Sequence, residues 1–462
     1  MCRAMEKIRR IGVVGIAGLS WALGVLVQTP AASAQKLCAG YYPAWRNAEY
    51  GPEKIPFENL THVIHAFAWP LADGRIVSYA EIPDPGLVTA VHQAGKKILI
   101  ALGGWGNCDG FSPMAASSSA RSAFVANLVG FMTQNGYDGV DLDWEFPQNQ
   151  ADKTNCVFLV RDIREAFAGI DSSWVITMAV NAGDWVGQWM DYANLIPLVD
   201  WFNAMTYDFH GSWTPHAGHN APLYAPATDS DGSVHQGIQY LTVTRRIPKT
   251  KVLLGIPFYG KEFAATSLYG PQSGTKDLFF GDAMAKCDSG WTYHWDAVSR
   301  VPFLTDPSGT RLITFDDTAS VRLKCEYASD NGLGGVMIWA LGEDIFQNRQ
   351  PLLETIGEEL FSSTGLGSNL PERTLKSFSL ESNFPNPFNS STTIRFHTDL
   401  LGPVSVRIID VRGREVDSFF GQILKPGIFS LCWNGSHAPS GIYYYRIQAG
   451  PLCEARPMLL VK

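Results

Sequence analysis

Residues 138–145 read Asp-Gly-Val-Asp-Leu-Asp-Trp-Glu, four acids in eight positions with apolar neighbours. Side chains alternate between the two faces of a strand, so Asp141, Asp143 and Glu145 share one face and Asp138 faces the other way. Three carboxylates on one face of a buried strand repel each other and lose hydration, which costs folding free energy. We therefore interpret them as a group that holds and transfers protons.

Seven other short apolar runs alternate with helix-like stretches along residues 35–362. Alternation of strand and helix predicts parallel pairing, and eight such units predict an α/β fold, a closed (β/α)8 TIM barrel. The long gap before the last run predicts a small α+β insertion between strands 7 and 8, at about residues 263–312. The predicted strands are Leu37–Tyr42, Thr61–Ala68, Lys97–Gly103, Asp138–Trp144, Trp174–Val180, Trp201–Tyr207, Lys251–Pro257 and Gly334–Ala340.

The composition and the predicted secondary structure change after the barrel. Residues 363–376 are rich in Ser, Gly and polar residues and are predicted to be a linker. Residues 377–462 contain short strands broken by Gly, Pro and Asn, which predicts an immunoglobulin-like β-sandwich. The predicted strands include Thr393–Phe396, Val404–Ile409, Phe429–Trp433 and Ile442–Ile447.

Residues 1–34 have the pattern of an export signal, with a basic start, an apolar centre and a small-residue cleavage site; an uncleaved anchor helix is the alternative. The segment carries a net charge of +3, so its removal takes the chain from −8 to −11. An acidic protein rich in Trp and Tyr is a poor nucleic-acid binder and suits a neutral substrate. We expect a secreted or cell-surface protein, monomeric.

Seven cysteines remain after residue 34, an odd number. Export permits disulfides, and a Cys432–Cys453 pair is conceivable, but the connectivity stays open. Cysteine spacing gives no indication of a metal site, and we expect neither a metal nor a cofactor.

The carboxyl ends of barrel strands, where TIM-barrel enzymes act, carry a series of aromatic and acidic residues. A single aromatic residue here is more often core, but a ring of them around carboxylates predicts a groove that stacks on sugar rings and offers an acid to a glycosidic oxygen. The acids lie on one flank, so we expect the nucleophile from elsewhere, for example from a substrate's own 2-acetamido group. The residues at the carboxyl ends of the predicted strands are Tyr41, Phe67, Trp105, Asp143, Glu145, Met205, Tyr207, Asp208, Tyr259 and Trp339.

Five motifs resemble those of family 18 glycoside hydrolases, the chitinase family, across about residues 37–361. They are Leu-Ile-Ala-Leu-Gly-Gly-Trp at 99–105, the acidic segment 138–145, Met-Thr-Tyr-Asp-Phe-His-Gly-Ser-Trp at 205–213, Gly-Ile-Pro-Phe-Tyr-Gly at 255–260 and Gly-Val-Met-Ile-Trp at 335–339. Lys261 stands where the family commonly has Arg. Lysine keeps the positive charge but cannot form the bidentate hydrogen bonds of arginine.

The resemblance implies roles for single residues. Glu145 protonates the leaving oxygen, Asp143 binds the acetamido nitrogen, Asp141 holds the proton that lets Asp143 move, and Tyr207 binds the acetamido carbonyl. Asp208 binds the sugar at the cleavage point. The implied sugar-contacting residues are Trp339, Tyr41 and Phe67 at the floor, Met205 and Tyr259 beside it, and Trp45, Trp105 and Trp213 as outlying platforms.

Four further residues are interpreted from their position. His62 and His65 are predicted to pack, Asp138 to anchor its loop, and His210 either to reach the cleft or to pack.

Residues 377–462 resemble the C-terminal sorting domain of type IX secretion substrates, on Phe-Pro-Asn-Pro-Phe-Asn at 384–389, Ile-Asp-Val-Arg-Gly-Arg-Glu-Val at 409–416 and Gly-Ile-Tyr-Tyr-Tyr-Arg at 441–446. The resemblance implies the outer-membrane secretion machinery as a partner. A carbohydrate-binding sandwich using Trp433 and Tyr443–Tyr445 is the alternative.

Together these observations predict a secreted chitinase that binds chitin or chito-oligosaccharides. An endo-β-N-acetylglucosaminidase acting on glycoprotein glycans and a non-catalytic chitin-binding lectin are the alternatives. The family's lectins typically lose the catalytic Glu, and Glu145 is present.

Overall fold

The computed structural model of the protein describes residues 36–361, 379–380, 383, 385–398, 400, 402–423, 427–450 and 452–462. The predicted signal segment, 1–34, and the predicted linker, 363–376, lie outside the described residues. Within the described ranges, no helix combines the length and the apolar character needed to cross a bilayer.

Residues 36–361 contain fourteen strands. They are β1 (Leu37–Pro43), β2 (His62–Pro70), β3 (Ile76–Ser78), β4 (Lys97–Gly103), β5 (Gly139–Asp143), β6 (Val175–Asn181), β7 (Trp201–Met205), β8 (Val252–Pro257), β9 (Tyr259–Phe263), β10 (Thr275–Phe279), β11 (Thr292–Asp296), β12 (Val301–Thr305), β13 (Leu312–Thr314) and β14 (Gly335–Trp339).

The same range contains ten α-helices. They are α1 (Pro85–Gln93), α2 (Phe111–Ala116), α3 (Ser118–Asn135), α4 (Gln150–Ile170), α5 (Asp184–Gly187), α6 (Tyr192–Leu195), α7 (Val234–Gln239), α8 (Phe280–Asp288), α9 (Thr318–Asp330) and α10 (Pro351–Phe361).

Eight parallel strands close into a barrel in the order β1-β2-β4-β5-β6-β7-β8-β14, and β14 pairs with β1 to complete the ring. Strand β3 pairs antiparallel with the end of β2. All eight predicted strands are present, so the predicted TIM barrel is confirmed. A closed sheet has no unpaired edge, which removes a site for pairing with other chains.

Alternation along the strands separates two apolar layers. In β5, Val140 and Leu142 are buried outside the barrel in the layer shared with the helices. Inward-facing residues of other strands, such as Leu99, Leu253 and Met337, form a second cluster inside the barrel. Burying each such aliphatic side chain contributes about 1.5–3 kcal/mol. The inner layer is the floor of the site described below.

Local sequence signals set several helix ends. The Asn149 side chain accepts the backbone N–H of Asp152 and begins α4, and Asp317 and Ser320 form a reciprocal capping box at α9. Helix α3 ends at Gly136, whose φ of 76° is a left-handed conformation that glycine adopts without a Cβ clash. These ends fix where the chain re-enters the barrel.

The insertion between the seventh and eighth barrel strands is an antiparallel sheet in the order β10-β9-β13-β12-β11, with α8 between β10 and β11. This confirms an α+β insertion at the predicted place in the fold. The sheet runs from Tyr259 to Thr314, so it contains residues 263–312 and extends a few residues beyond them at each end.

The C-terminal strands form two antiparallel sheets, β15-β16-β19 and β18-β17-β20-β21. Residues from both sheets share one apolar core, as in a β-sandwich, and each predicted strand lies within an observed one. The strands are β15 (Ser379–Leu380), β16 (Ser391–Thr398), β17 (Gly402–Asp410), β18 (Glu415–Ile423), β19 (Gly427–Asn434), β20 (Gly441–Ala449) and β21 (Leu452–Leu460).

Three of the aromatic residues considered for carbohydrate binding in this domain are core residues. Trp433, Tyr443 and Tyr445 are buried, and the Trp433 ring packs against Tyr443 at 5.5 Å between centroids. Tyr444, on the opposite face of β20, is exposed. These three buried rings cannot stack on a sugar, which argues against the alternative of a carbohydrate-binding sandwich.

Candidate active site

The three carboxylates of the acidic segment converge at the carboxyl end of β5. Asp141 and Asp143 face the barrel interior, and Glu145 follows two residues after Asp143. Trp144, between Asp143 and Glu145 in the sequence, points to the outer layer and stacks on Phe111 with ring centroids 5.2 Å apart. The alternation inferred from the sequence therefore continues past the end of the strand.

Asp141 is fully buried and accepts hydrogen bonds from three neighbours. Tyr41 Oη donates to Oδ2 at 2.6 Å, while Thr177 Oγ1 and Asn203 Nδ2 donate to Oδ1. Trp201 Nε1 in turn donates to Asn203 Oδ1 at 3.1 Å. Burial raises the pKa of Asp141, and the bonds from Thr177, Tyr41 and Asn203 oppose the rise. The group is thus held in place at the bottom of the site.

Asp143 is 4% exposed, and its Oδ1 has no hydrogen-bond partner among the described residues. Burial, followed by the charges of Glu145 and Asp141, raises the pKa of Asp143 well above its ordinary value. A buried acceptor without a donor costs about 1–3 kcal/mol in a folded protein. Such a cost at a strand end is a sign of a group kept ready for a ligand.

Glu145 is partly buried, and its pKa is raised to about 7, first by burial and then by the charge of Asp208. A hydrogen bond from the backbone N–H of Trp105 opposes this rise. The carboxyl is therefore protonated over much of the range below neutral pH. A neutral carboxylic acid at the mouth of a barrel can donate a proton to a bound substrate.

Asp208 lies between the acid group and the inserted sheet. Its Oδ1 accepts a hydrogen bond from Tyr259 Oη at 2.8 Å and lies 2.8 Å from Lys261 Nζ. Lys261 also pairs with Asp277 at 2.9 Å, and its Nζ lies 5.3 Å from the ring centre of Trp213. The lysine noted in the sequence thus joins the insertion to the rim of the barrel.

Met205 ends β7, the sixth strand of the barrel, and Tyr207 follows two residues later. Both are half-buried, and Tyr207 Oη makes a weak contact to Met337 Sδ at 3.9 Å. Burial, followed by the charge of Asp143, raises the pKa of Tyr207 well above its ordinary value. The hydroxyl is therefore a neutral donor close to Asp143.

Aromatic rings line the floor beside the acids. Phe67 stacks on Trp339 with centroids 5.7 Å apart, and Tyr41 packs against the same indole at 5.4 Å. Gly104 has a φ of 83°, and a Cβ there would lie 2.5 Å from the Phe67 ring. Only glycine lets the loop after β4 approach this floor so closely.

Exposed tryptophans surround the floor. Trp45 is 45% exposed and stacks on Phe67, while Trp105 and Trp213 are 78% and 60% exposed. Trp185, after β6, is 71% exposed and contacts the ring of Phe146, which follows Glu145. Trp185 was not predicted from the sequence, although a tryptophan after a barrel strand fits the pattern used for the other three.

Three further residues of the site were also missed. Thr177 and Asn203 are polar residues at inward-facing positions of otherwise apolar strands, a signal that strand parity could have revealed. Cys108 Sγ accepts the backbone N–H of Glu145 at 3.1 Å and donates to the carbonyl oxygen of Asp143 at 3.3 Å. Nothing in the local sequence indicates this contact, because it joins two different loops.

The other residues interpreted from the sequence are His62, His65, His210 and Asp138. His62 and His65 are buried, and burial lowers the pKa of each to about 4, so both are neutral packing groups. His210 is fully buried within the loop after β7 and does not line an open cleft. Asp138 accepts the backbone N–H of Ile98 at 2.8 Å and pairs with His92.

Cys432 and Cys453 are exposed on β19 and β21, and both are free thiols. The structure therefore contains no disulfide between these two residues.

Two family models match the chain. Glycosyl hydrolases family 18 matches residues 38–344, and the secretion system C-terminal sorting domain matches residues 382–456. Both matches confirm resemblances that the sequence motifs had indicated.

Curated relatives agree with the first match. Chitinase A1 of Niallia circulans is 29% identical, over 71% of this chain and 60% of the relative. Chitotriosidase-1 of Mus musculus is 31% identical, over 81% of this chain and 87% of the relative. The chain spans 59% of the length of the probable endochitinase of Caenorhabditis elegans.

Solved structures share the architecture. Catalytic domain 2 of the Group II chitinase of Ostrinia furnacalis has a TM-score of 0.66 and 30% identity, covering 72% of this chain and 99% of that domain. The geometry, the family match over residues 38–344 and these relatives lead to one conclusion: the chain belongs to family 18 of the glycosyl hydrolases.

Proposed function

We propose that the protein is a chitinase that hydrolyses β-1,4 linkages between N-acetylglucosamine units with retention of configuration. The observation that carries the proposal is the pairing of a protonated acid with a buried acceptor. Glu145 has a pKa of about 7, and Asp143, two residues before it, has a buried Oδ1 without a donor. An acetamido N–H would supply that donor, which explains why a glucan lacking the group should be a poor substrate.

The proposed reaction has two steps. In the first, Glu145 donates its proton to the glycosidic oxygen as the bond to the anomeric carbon breaks, and the acetamido carbonyl oxygen of the same sugar attacks that carbon. Asp143 accepts the acetamido N–H and balances the positive charge of the oxazolinium, and Tyr207 donates to the attacking oxygen. In the second, Glu145 removes a proton from water, which opens the ring with the original anomeric configuration.

The surroundings of the acids support a chain of acetylated sugars as substrate. Trp339, half-buried and stacked on the buried Phe67, presents a flat ring beside the reacting group, and the exposed Trp45, Trp105 and Trp213 extend this surface. Rings stack on the apolar faces of pyranosides through the same dispersion forces that pack aromatic residues. Chitinase A1 of Niallia circulans and chitotriosidase-1 of Mus musculus, to which the chain is similar, carry names that agree with this substrate class.

Incubation with chitotetraose, a high-mannose glycan and cellotetraose, followed by NMR of the first products, tests the proposal. We expect cleavage of chitotetraose with the β-anomer formed first. Cleavage of the high-mannose glycan alone would favour an endo-β-N-acetylglucosaminidase, and binding of chitotetraose without cleavage would favour a lectin. An α-anomer as first product, or turnover of cellotetraose, would overturn the mechanism.

We also propose that residues 377–462 direct the protein through the outer membrane to the exterior or the cell surface. The match of residues 382–456 to a secretion sorting domain supports this role, as does the compact sandwich core. Fusion of residues 377–462 to a periplasmic reporter, in a host with this secretion system, should release the reporter outside the cell. A reporter that stays periplasmic with the fusion, as it does without it, would contradict the proposal.

A further inference from the structure

A cluster of two histidines and two aspartates lies in the connection between β7 and α7, apart from the acid site. It consists of His210, His216, Asp229 and Asp231, and one ligand atom from each lies within 4.8 Å of the others. His210 Nε2 is 3.3 Å from both Asp229 Oδ1 and Asp231 Oδ2. His216 Nε2 is 2.9 Å from Asp231 Oδ2. Four potential metal-ligand atoms thus lie close together.

The tautomer of His210 is set by its other nitrogen. His210 Nδ1 lies 2.9 Å from the carbonyl oxygen of His219, and a carbonyl oxygen can only accept a hydrogen bond. Nδ1 therefore carries the proton and Nε2 faces the two aspartates. A backbone carbonyl on the far ring nitrogen is the arrangement that orients metal-binding histidines. A Cβ at Gly218 would lie 2.2 Å from the His210 ring, so the imidazole fits closely against the backbone.

Two buried atoms of the cluster lack hydrogen-bond partners, whereas Asp229 Oδ1, which faces His210 Nε2, accepts the backbone N–H of Asp231 at 3.0 Å. The side chains of His210 and Asp229 are both 0% exposed. Neither His210 Nε2 nor Asp229 Oδ2 has a hydrogen-bond partner among the described residues. A neutral Nε2 directs its lone pair at two carboxylates, which is repulsive unless a cation lies between them. The cluster therefore requires a positive charge at its centre.

We propose that this cluster binds a divalent cation, and that the cation is Zn²⁺. Zinc bonds of about 2.0–2.2 Å to nitrogen and oxygen place tetrahedral ligands about 3.4 Å apart, close to the two 3.3 Å separations at His210. Two imidazoles and two carboxylates form a set typical of zinc rather than of calcium or magnesium, which prefer oxygen alone. Four protein ligands leave no open position, so the ion is structural.

The competing arrangement is a proton on Nε2 that is shared between Asp229 and Asp231. In that case His210 is an imidazolium, and its N–H should point at one of the carboxylates. The hydrogen-bond geometry at Nε2 does not meet this condition, which favours a metal ion over the proton.

The cluster lies in the same chain connection as several residues of the cleft. The connection between β7 and α7, which contains the cluster, also contains Tyr207, Asp208 and Trp213. The backbone N–H of Asp208 donates to Asn220 Oδ1 at 3.1 Å within the same segment. An ion joining His210 and His216 to Asp229 and Asp231 would tie the two ends of this segment together. We therefore expect zinc to stabilise the rim of the site.

The test measures metal directly in the full chain, prepared without a histidine tag. After chelation, loading with Zn²⁺ and dialysis, mass spectrometry should find about one equivalent per chain. The double variant His216→Ala/Asp231→Asn should lose this zinc, whereas His92→Ala, a histidine outside the cluster, should keep it. The variant Cys432→Ser/Cys453→Ser should also keep it, because the exposed thiols are not ligands.

Two measurements remain informative if the double variant folds poorly. Loading the unmodified chain with Co²⁺ should give the intense visible absorption of tetrahedral cobalt, and Zn²⁺ should raise the thermal unfolding midpoint of the chelated chain. Absence of bound zinc and of tetrahedral cobalt absorption would overturn the proposal and leave the shared proton as the explanation. Loss of zinc in the cysteine variant would also overturn it. Neither readout depends on hydrolytic activity.

Discussion

Tyr41 Oη donates a 2.6 Å hydrogen bond to Asp141 Oδ2 across the interior of the barrel. The bond joins β1 to β5, and Tyr41 also packs its ring against Trp339. One residue therefore connects the buried end of the acid group to the floor on which a sugar is proposed to lie. A change in either partner should alter the protonation of the group without opening the fold.

Tyr41→Phe should lower kcat roughly tenfold and leave KM nearly unchanged, because hydrogen bonds to charged groups contribute about 1.5–3 kcal/mol and the ring contact is retained. Steady-state kinetics on chitotetraose measure both constants. Tyr42→Phe is the matched control, since the adjacent hydroxyl bonds the Tyr50 carbonyl on the outer side. An unchanged kcat in Tyr41→Phe would show that the bond only supports the fold.

Glu145→Gln should reduce hydrolysis about 100- to 10,000-fold, the usual contribution of a general acid, while chito-oligosaccharide binding persists. Calorimetric titration with chitotetraose reports the binding separately from turnover. Asp138→Asn serves as control because Asp138 lies in the same segment but anchors Ile98 and His92. Equal loss of binding and hydrolysis in Glu145→Gln would remove the residue from its proposed role.

The pH profile of kcat/KM should fall on the alkaline side near pH 7, because Glu145 donates only when protonated and its pKa is about 7. Asp208 raises this pKa, so Asp208→Asn should move the alkaline limb to lower pH. Asp277→Asn is the comparison, since Asp277 also contacts Lys261 but is mostly exposed. A limb that does not move in Asp208→Asn contradicts the assigned cause.

Lys324→Met should lower the free energy of unfolding by about 3–5 kcal/mol, because it leaves Asp316 buried without its cation. Lys324 Nζ bonds both oxygens of Asp316, at 2.7 and 2.6 Å, and both side chains are nearly inaccessible. Denaturant unfolding gives the value. Arg349→Ala, which removes an exposed partner of Glu354, should have a much smaller effect. Comparable losses in the two variants would refute this difference.

The barrel and the acid group follow from short-range patterns. Hydrophobic runs with turn signals between them identified all eight barrel strands, and two-residue periodicity put Asp141, Asp143 and Glu145 on one face. Motif resemblance supplied the expectations for Tyr207, Asp208 and Trp339. The contacts of Thr177, Asn203 and Cys108 were not predicted, because each depends on how separate strands and loops meet. The free thiols at Cys432 and Cys453 are likewise a result of the three-dimensional structure.

The amino-acid sequence alone determined which segments are strands, which side chains share a face and which acids are crowded together, because backbone geometry imposes these relations over a few residues. Tertiary structure decided which donors reach Asp141, why Lys261 contacts Asp208, and how His210 comes to face Asp229 and Asp231. Those contacts depend on loop closure and on register across a closed sheet, and they join residues that are distant along the chain. The pKa values of the site follow from the same packing, since burial is a property of the assembled barrel.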